Sequence, residues 1–74
     1  MTYYPIKPGP EAERIGQIVM RIDTQDIYEI ISLPDGSGSH QHFGLNGLAE
    51  PMLNKKLKIS VKAMWRDYAP VREG

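Results

Sequence analysis

Four basic side chains in the last third of the chain are spaced so that they can bind phosphate groups. Residues 55–66 contain five basic residues and no acidic one. Alternate side chains of an extended strand share a face, so Lys56, Lys58, Lys62 and Arg66 would form one basic stripe. Such a stripe attracts the phosphates of a nucleic acid, although lysines also commonly protect the exposed edge of a sheet. We predict phosphate contacts from these four side chains.

Three ring-bearing side chains are candidates for stacking on bases. Tyr28 lies in the second predicted strand, and His42 and Phe43 lie in the third. Aromatic rings stack on every base, and oligonucleotide/oligosaccharide-binding (OB) barrels bind across their second and third strands. By analogy with that fold, the leading hypothesis is an accessory nucleic-acid-binding module that prefers single strands.

The distribution of charge supports a second hypothesis. Nine basic and nine acidic residues give a formal net charge of zero, yet residues 1–37 hold three basic and six acidic residues, whereas residues 38–74 hold six and three. The halves therefore carry −3 and +3, and complementary charges of this kind favour association with another protein or a second copy. The chain would then be a small inhibitor or an assembly subunit. The side chains expected to anchor such an interface are Tyr3, Tyr4, Ile6 and Trp65.

Metal binding and catalysis are not predicted. His40 and His42 would point the same way from a strand, but two ligands are too few for a zinc or copper site. Asp35, Ser37 and Ser39 are of the types used in acyl transfer, yet they lie in a Gly/Ser turn segment that lacks a rigid nucleophile elbow. The sequence has no cysteine and so no thiol chemistry. We predict a binding protein with no catalytic residue, metal or cofactor.

Length and composition limit what can hold these residues in place. The chain has 74 residues, of which 41% are hydrophobic and 24% charged, as in one small globular domain. A domain of about 60 residues buries only about 60% of its unfolded surface, which raises the expectation of an oligomer. No signal-peptide or membrane-spanning run is present, so a cytoplasmic location is expected.

Alternation of apolar residues predicts an antiparallel hairpin near the start of the domain. Residues 14–22 alternate, with one wholly apolar face made of Gly16, Ile18, Met20 and Ile22. A polar turn at residues 23–26 leads into a second strand at 27–33, rich in β-branched residues.

The pattern of the remaining residues predicts a third strand, a short helix, and then a fourth and a fifth strand. Gln41, Phe43 and Leu45 would face inward on a third strand, with His40 and His42 outward, and the spacing of apolar residues in 46–54 favours one or two helical turns. A fourth strand over residues 56–66 and a fifth over 67–71 complete the order. The buried face of the fourth strand is expected to consist of Leu57, Ile59, Val61, Ala63 and Trp65.

The predicted fold is all-β, a small five-stranded antiparallel barrel with one short helix between strands three and four. This order is OB-like, with an SH3-like barrel as the alternative. Residues 1–13 are expected to form an extended proline-rich arm, residues 14–71 the barrel, and residues 72–74 a frayed tail.

Overall fold

The computed structural model describes residues 2–34 and 41–74. Within these residues there are six strands, one 3₁₀ turn at Pro10–Ala12 and one α-helix, α1, at Val61–Asp67. The strands are β1 (Tyr3–Pro5), β2 (Ile18–Arg21), β3 (Ile27–Ser32), β4 (His42–Gly47), β5 (Lys56–Ser60) and β6 (Tyr68–Glu73).

All six strands form one antiparallel sheet in the order β1-β6-β2-β3-β4-β5. The strands from β2 to β5 follow one another as a meander, and β6 then returns to pair with β2. The predicted antiparallel β architecture is confirmed. The prediction of a closed five-stranded barrel is wrong, because the sheet has six strands and its end strands, β1 and β5, are not paired with each other.

The helix is also not where the sequence pattern placed it. Strand alternation ends at Ser60, whose hydroxyl oxygen accepts a hydrogen bond from the Ala63 backbone N–H at 3.3 Å and so caps α1. Met64, the one apolar residue on the predicted basic face, is completely buried by the helix. The predicted long fourth strand is therefore a strand followed directly by a helix.

Residues 46–54, predicted to be helical, instead hold the end of β4 and most of a looped connection, residues 48–55, between β4 and β5. Two backbone bonds close this loop on Gly47, which donates to the Lys55 carbonyl at 2.8 Å and accepts from the Asn54 N–H at 2.9 Å. A Cβ atom at Gly47 would collide with the Met52 carbonyl group, so the close approach requires glycine. Asn54 has φ of 62°, the left-handed conformation that asparagine tolerates better than most residues.

The core lies between α1 and one face of the sheet. Phe43 on β4 meets Trp65 on α1 edge-on at 5.9 Å and joins the two layers, while Tyr28 meets Tyr68 edge-on at 5.7 Å between two strands of the sheet. The fully or almost fully buried members of this cluster are Val19, Tyr28, Ile30, Phe43, Leu45, Met64 and Tyr68.

The hairpin of β2 and β3 forms as predicted, but β2 is shorter and turns its apolar face away from the core. Gly16, with φ of +93°, lies in the turn before β2 rather than inside the strand. Val19 is fully buried, whereas Ile18 and Met20 are partly exposed. Gln17 is buried on the approach to β2, where its side-chain amide donates to the Val71 carbonyl at 2.9 Å.

The N-terminal arm is paired into the sheet of its own chain. β1 pairs with β6 in the register Tyr3↔Glu73, and the Ile6 N–H donates to the Pro70 carbonyl at 2.8 Å. Ala12 is buried beyond it. Arg72 and Glu73, expected to fray, form the end of β6 because β1 supplies their ladder partners. No helix among the described residues is long and apolar enough to cross a membrane.

Candidate binding surface

The sheet face opposite the core carries an apolar patch on β2 and β3. We define the outer patch as Ile18, Met20, Ile22 and Ile27. Met20 is the cross-strand partner of Ile27, and Ile18 is the partner of Glu29. The Ile22 N–H donates to the Asp67 carbonyl at 2.9 Å, so Ile22 extends the row beyond the end of β2. Because alternate residues share a face, Ile18, Met20 and Ile22 all lie away from Val19.

The outer patch is only partly covered by the rest of the chain: Ile18, Met20 and Ile27 are partly buried, and Ile18 lines a groove together with Glu11 and Ala12 of the 3₁₀ turn. The helix α1 packs against β4, β5 and β6 on the core side, where Met64 is buried. The Ile22 side chain is 53% exposed, and Ile31, at an irregularity in the β3–β4 pairing, is 39% exposed. Full burial of one such side chain contributes about 1.5–3 kcal/mol. The outer patch therefore keeps part of its apolar surface in contact with water.

Lysines border this face at the edge of the sheet. The row Glu29–Asn46–Lys56 crosses from β3 to β5, and Lys58 lies opposite Gly44. Both lysines are exposed and stand about 7 Å apart along β5. Within the described part of the chain, no carboxylate lies within 4.0 Å of either ammonium group. We call Lys56 and Lys58 the basic edge.

The structure divides the predicted basic stripe into two parts. Lys62 and Arg66 lie on α1, one helical turn apart, rather than in a row with Lys56 and Lys58. Arg66 is also paired, donating to both Asp67 carboxylate oxygens at 3.1 and 3.0 Å. That hydrogen bond lowers the pKa of Asp67 and raises the pKa of Arg66. Arg66 therefore has a carboxylate partner, whereas among the described residues Lys56, Lys58 and Lys62 have none.

Two of the three rings expected to stack on bases lie inside the protein. Tyr28 is 1% exposed and Phe43 is 0% exposed, so neither offers a ring face to a ligand. Burial, followed by the nearby Tyr68, raises the pKa of Tyr28, and burial is also the largest cause of the raised pKa of Tyr68. His42 is exposed on the outer face, opposite Ser60. The stacking role of Tyr28 and Phe43 is therefore withdrawn.

The side chains predicted to anchor an interface have different surroundings. Tyr4 is 53% exposed, while Tyr3 and Ile6 are half-buried beside β6. Trp65 is half-buried and packs on Phe43, which makes it part of the core boundary.

A groove lies between the N-terminal arm and β6. The groove has a volume of about 750 Å³ and is lined by both signs of charge, with Lys7, Arg14 and Arg72 beside Glu11 and Glu73. The mixed lining does not define the charge of a ligand.

Of the two histidines considered as metal ligands, His40 lies outside the described residues. Among residues 2–34 and 41–74, no group of three or more His, Asp or Glu side chains is arranged to hold a metal ion.

The outer patch was not among the predicted site residues. Its signal was present in the sequence as a strand with one wholly apolar face, but alternation alone does not say which face meets the core. Comparison of the chain with protein-family models, with characterised proteins and with solved structures finds no match.

Proposed function

We propose that this protein is a small non-enzymatic binding module whose outer sheet face binds another protein. One observation carries the proposal: the wholly apolar side of β2, with Ile18 and Met20 continued by Ile22, faces away from the core. A nucleic acid does not require such a surface, whereas a protein partner gains by covering it.

The surroundings of the outer patch have the organisation of a protein interface. Such interfaces combine an apolar centre with a polar, charged rim. Here Glu29 and the basic edge supply charges around the isoleucines. A standard interface covers about 800 Å² on each partner, which is roughly a sixth of the 5071 Å² of accessible surface on this chain.

A second copy of the chain is one form that the partner can take. Asp23 and Asp26 lie in the turn between β2 and β3, and the basic edge begins two strands away at the same end of the sheet. A second copy facing the first across the outer patch could bring the acidic turn of one over the lysines of the other, which favours a closed dimer.

The test compares two exposed apolar positions. Ile22→Lys alters the outer patch, and Leu53→Lys is the matched control, since Leu53 is 44% exposed in the β4–β5 loop. Sedimentation equilibrium measures self-association, and quantitative affinity capture measures binding of other proteins. We expect Ile22→Lys to lose a dimer or a saturable partner that wild type and Leu53→Lys retain. The proposal is contradicted if wild type is monomeric and also captures the same proteins as the Ile22→Lys variant does.

A second candidate function is nucleic-acid binding, favoured by the lysines of the basic edge, which have no carboxylate partner among residues 2–34 and 41–74. With Tyr28 and Phe43 buried, contact would be mainly to phosphates, with His42 as the remaining stacking candidate. The OB-like analogy that introduced those rings does not fit this sheet, because the sheet is not a closed barrel and the helix follows β5 rather than β4, which is the predicted third strand.

Fluorescence anisotropy of labelled single-stranded and duplex oligonucleotides tests this second function. Phosphate contacts predict binding that weakens steeply as salt is raised and that is lost in the double variant Lys56→Glu, Lys58→Glu. Absence of binding at low salt removes this candidate and leaves protein binding alone.

A further inference from the structure

The backbone hydrogen bonds of β5 alternate between the sheet and the free edge. The Gly47 N–H donates to the Lys55 carbonyl at 2.8 Å, and the Val61 N–H donates to the Gln41 carbonyl at 3.2 Å. In an antiparallel ladder, hydrogen-bonded and non-hydrogen-bonded pairs alternate, so the odd-numbered residues of β5 bond to β4. The backbone N–H groups of Lys56, Lys58 and Ser60 and the carbonyls of the two lysines therefore point away from the sheet, while the Ser60 carbonyl belongs to the first turn of α1.

Among the described residues, β5 pairs with β4 alone, so these outward groups have no strand partner. Antiparallel pairing with a second β5 would bring lysines near lysines across the new ladder, which is unfavourable. A strand with acidic side chains is favoured at the same edge. The lysines thus select between partners by charge.

We propose that the β5 edge binds an extended acidic segment of a partner protein, which adds a seventh strand to the sheet. The inference rests on the proposed protein-binding function and specifies the chemistry of the partner. Glu or Asp side chains would lie beside Lys56 and Lys58, and the backbone of the segment would bond to the outward groups of both lysines.

The side of β5 that faces the core determines which side chains the partner segment carries between its acidic residues. Leu57 and Ile59 point to the core side and are half-buried, so apolar side chains of an added strand would pack beside them. The free edge spans Lys56–Ser60 before the chain turns into α1. The partner segment is therefore about five residues long and alternates acidic with apolar side chains.

A capped peptide of alternating Glu and Val, three of each, is the probe. Its affinity is measured by isothermal titration, and its site by backbone amide chemical shifts of the ¹⁵N-labelled protein. We expect the largest shifts at the amides of Lys56, Lys58 and Ser60. A matched peptide of alternating Lys and Val is expected to bind at least about tenfold more weakly, because it places like charges across the ladder.

Two substitutions at one position separate charge from strand addition. Lys58→Gln keeps the outward N–H and removes the charge, so affinity falls about two- to fivefold. Lys58→Pro also removes the outward N–H without removing a bond to β4, so affinity falls by about a further tenfold. Lys62→Gln, on α1, is the control and leaves the affinity unchanged. A Glu–Val peptide N-methylated at its bonding amides gives the same test on the unaltered protein.

Three results would overturn the inference: equal affinity for the two peptides, shifts centred away from β5, or a Lys58→Pro variant and an N-methylated peptide that bind as well as their parents. Tighter binding of a single-stranded oligonucleotide to the same amides would also overturn it, by assigning the edge to nucleic acid. The two proposals fail separately. If the peptide does not bind while Ile22→Lys still loses a partner, the outer patch stands and the edge inference falls.

Discussion

Val19 and Met20 are neighbours in β2, yet the sheet places them in opposite environments. Val19 is fully buried in a cluster with Tyr28, Ile30 and Tyr68. Met20 points to the other side, where its cross-strand partner is Ile27 and both side chains are partly exposed. The inner face of β2 is buried by the chain itself, whereas the outer face stays partly exposed.

The difference shows that apolar content alone does not determine which face of a strand is buried. On the inner side, Val19 is flanked by Gln17 and Arg21, whose polar groups are held by the Val71 carbonyl and by Asp23 at 2.9 Å. On the outer side all the alternating residues are apolar. The inner face is buried because Val19 lies in one cluster with Met64 of α1 and with the rings of Tyr28 and Tyr68.

The largest effect is expected from removing a ring on the inner face. Phe43→Ala should lower the free energy of unfolding by about 3–5 kcal/mol, since it leaves a cavity at a fully buried site. Ile22→Ala, on the outer patch, should change it by less than about 0.5 kcal/mol. Urea denaturation measures both, with Phe43→Leu as the volume control. An Ile22→Ala variant as unstable as Phe43→Ala would remove the distinction between the two faces.

An intermediate change in folding stability is expected at alkaline pH, where the two buried tyrosines ionise. Burial raises the pKa of both Tyr28 and Tyr68, so the folded state favours their neutral hydroxyls. Their contribution to stability is complete below the unfolded tyrosine pKa of about 10 and is lost as pH rises through the higher folded values. The double variant Tyr28→Phe, Tyr68→Phe should keep more of its neutral-pH stability above pH of about 10 than wild type does.

Thermal unfolding followed across this pH range measures the effect on the inner face. Tyr4→Phe is the matched control for removing one hydroxyl, since the Tyr4 ring is 53% exposed at the edge of the sheet. If wild type and the double variant lost the same amount of stability at alkaline pH, ionisation of Tyr28 and Tyr68 would not be the cause of that loss.

The smallest change in folding stability is expected from removing the Arg66–Asp67 ion pair on the solvent side of α1. The hydrogen bond from Arg66 lowers the pKa of Asp67, so the pair stabilises the fold above the unfolded Asp pKa of about 3.9 and loses that contribution as pH falls through the lower folded value. Arg66→Gln should therefore be slightly less stable than wild type at neutral pH and indistinguishable from it in strong acid. Urea midpoints at both pH values measure this, with Lys62→Gln as the control. If Arg66→Gln still differed from wild type in its urea midpoint in strong acid, the stability difference would come from packing and not from the ion pair.

Much of the middle of the fold could be predicted because it depends on local alternation. The β2–β3 hairpin and the inward direction of Phe43 and Leu45 follow from period-two patterns next to polar turns, and the structure confirms them. The basic edge was also identified, since Lys56 and Lys58 alternate with Leu57 and Ile59 on a true strand. Tyr28 and Phe43 lie in the core instead of on the surface because a ring that is apolar enough to stack is also apolar enough to be buried.

The sequence by itself determined which residues share a face, that no thiol chemistry is present, and that the lysines of β5 lie on one side of their strand. Tertiary structure decided which face of β2 is buried, where strand changes to helix after Ser60, and that β1 holds the end of β6. The reason is physical. Alternation and propensity act over a few residues, whereas burial is set by pairing between segments as distant as Val19 and Pro70, and only the complete sheet fixes that pairing.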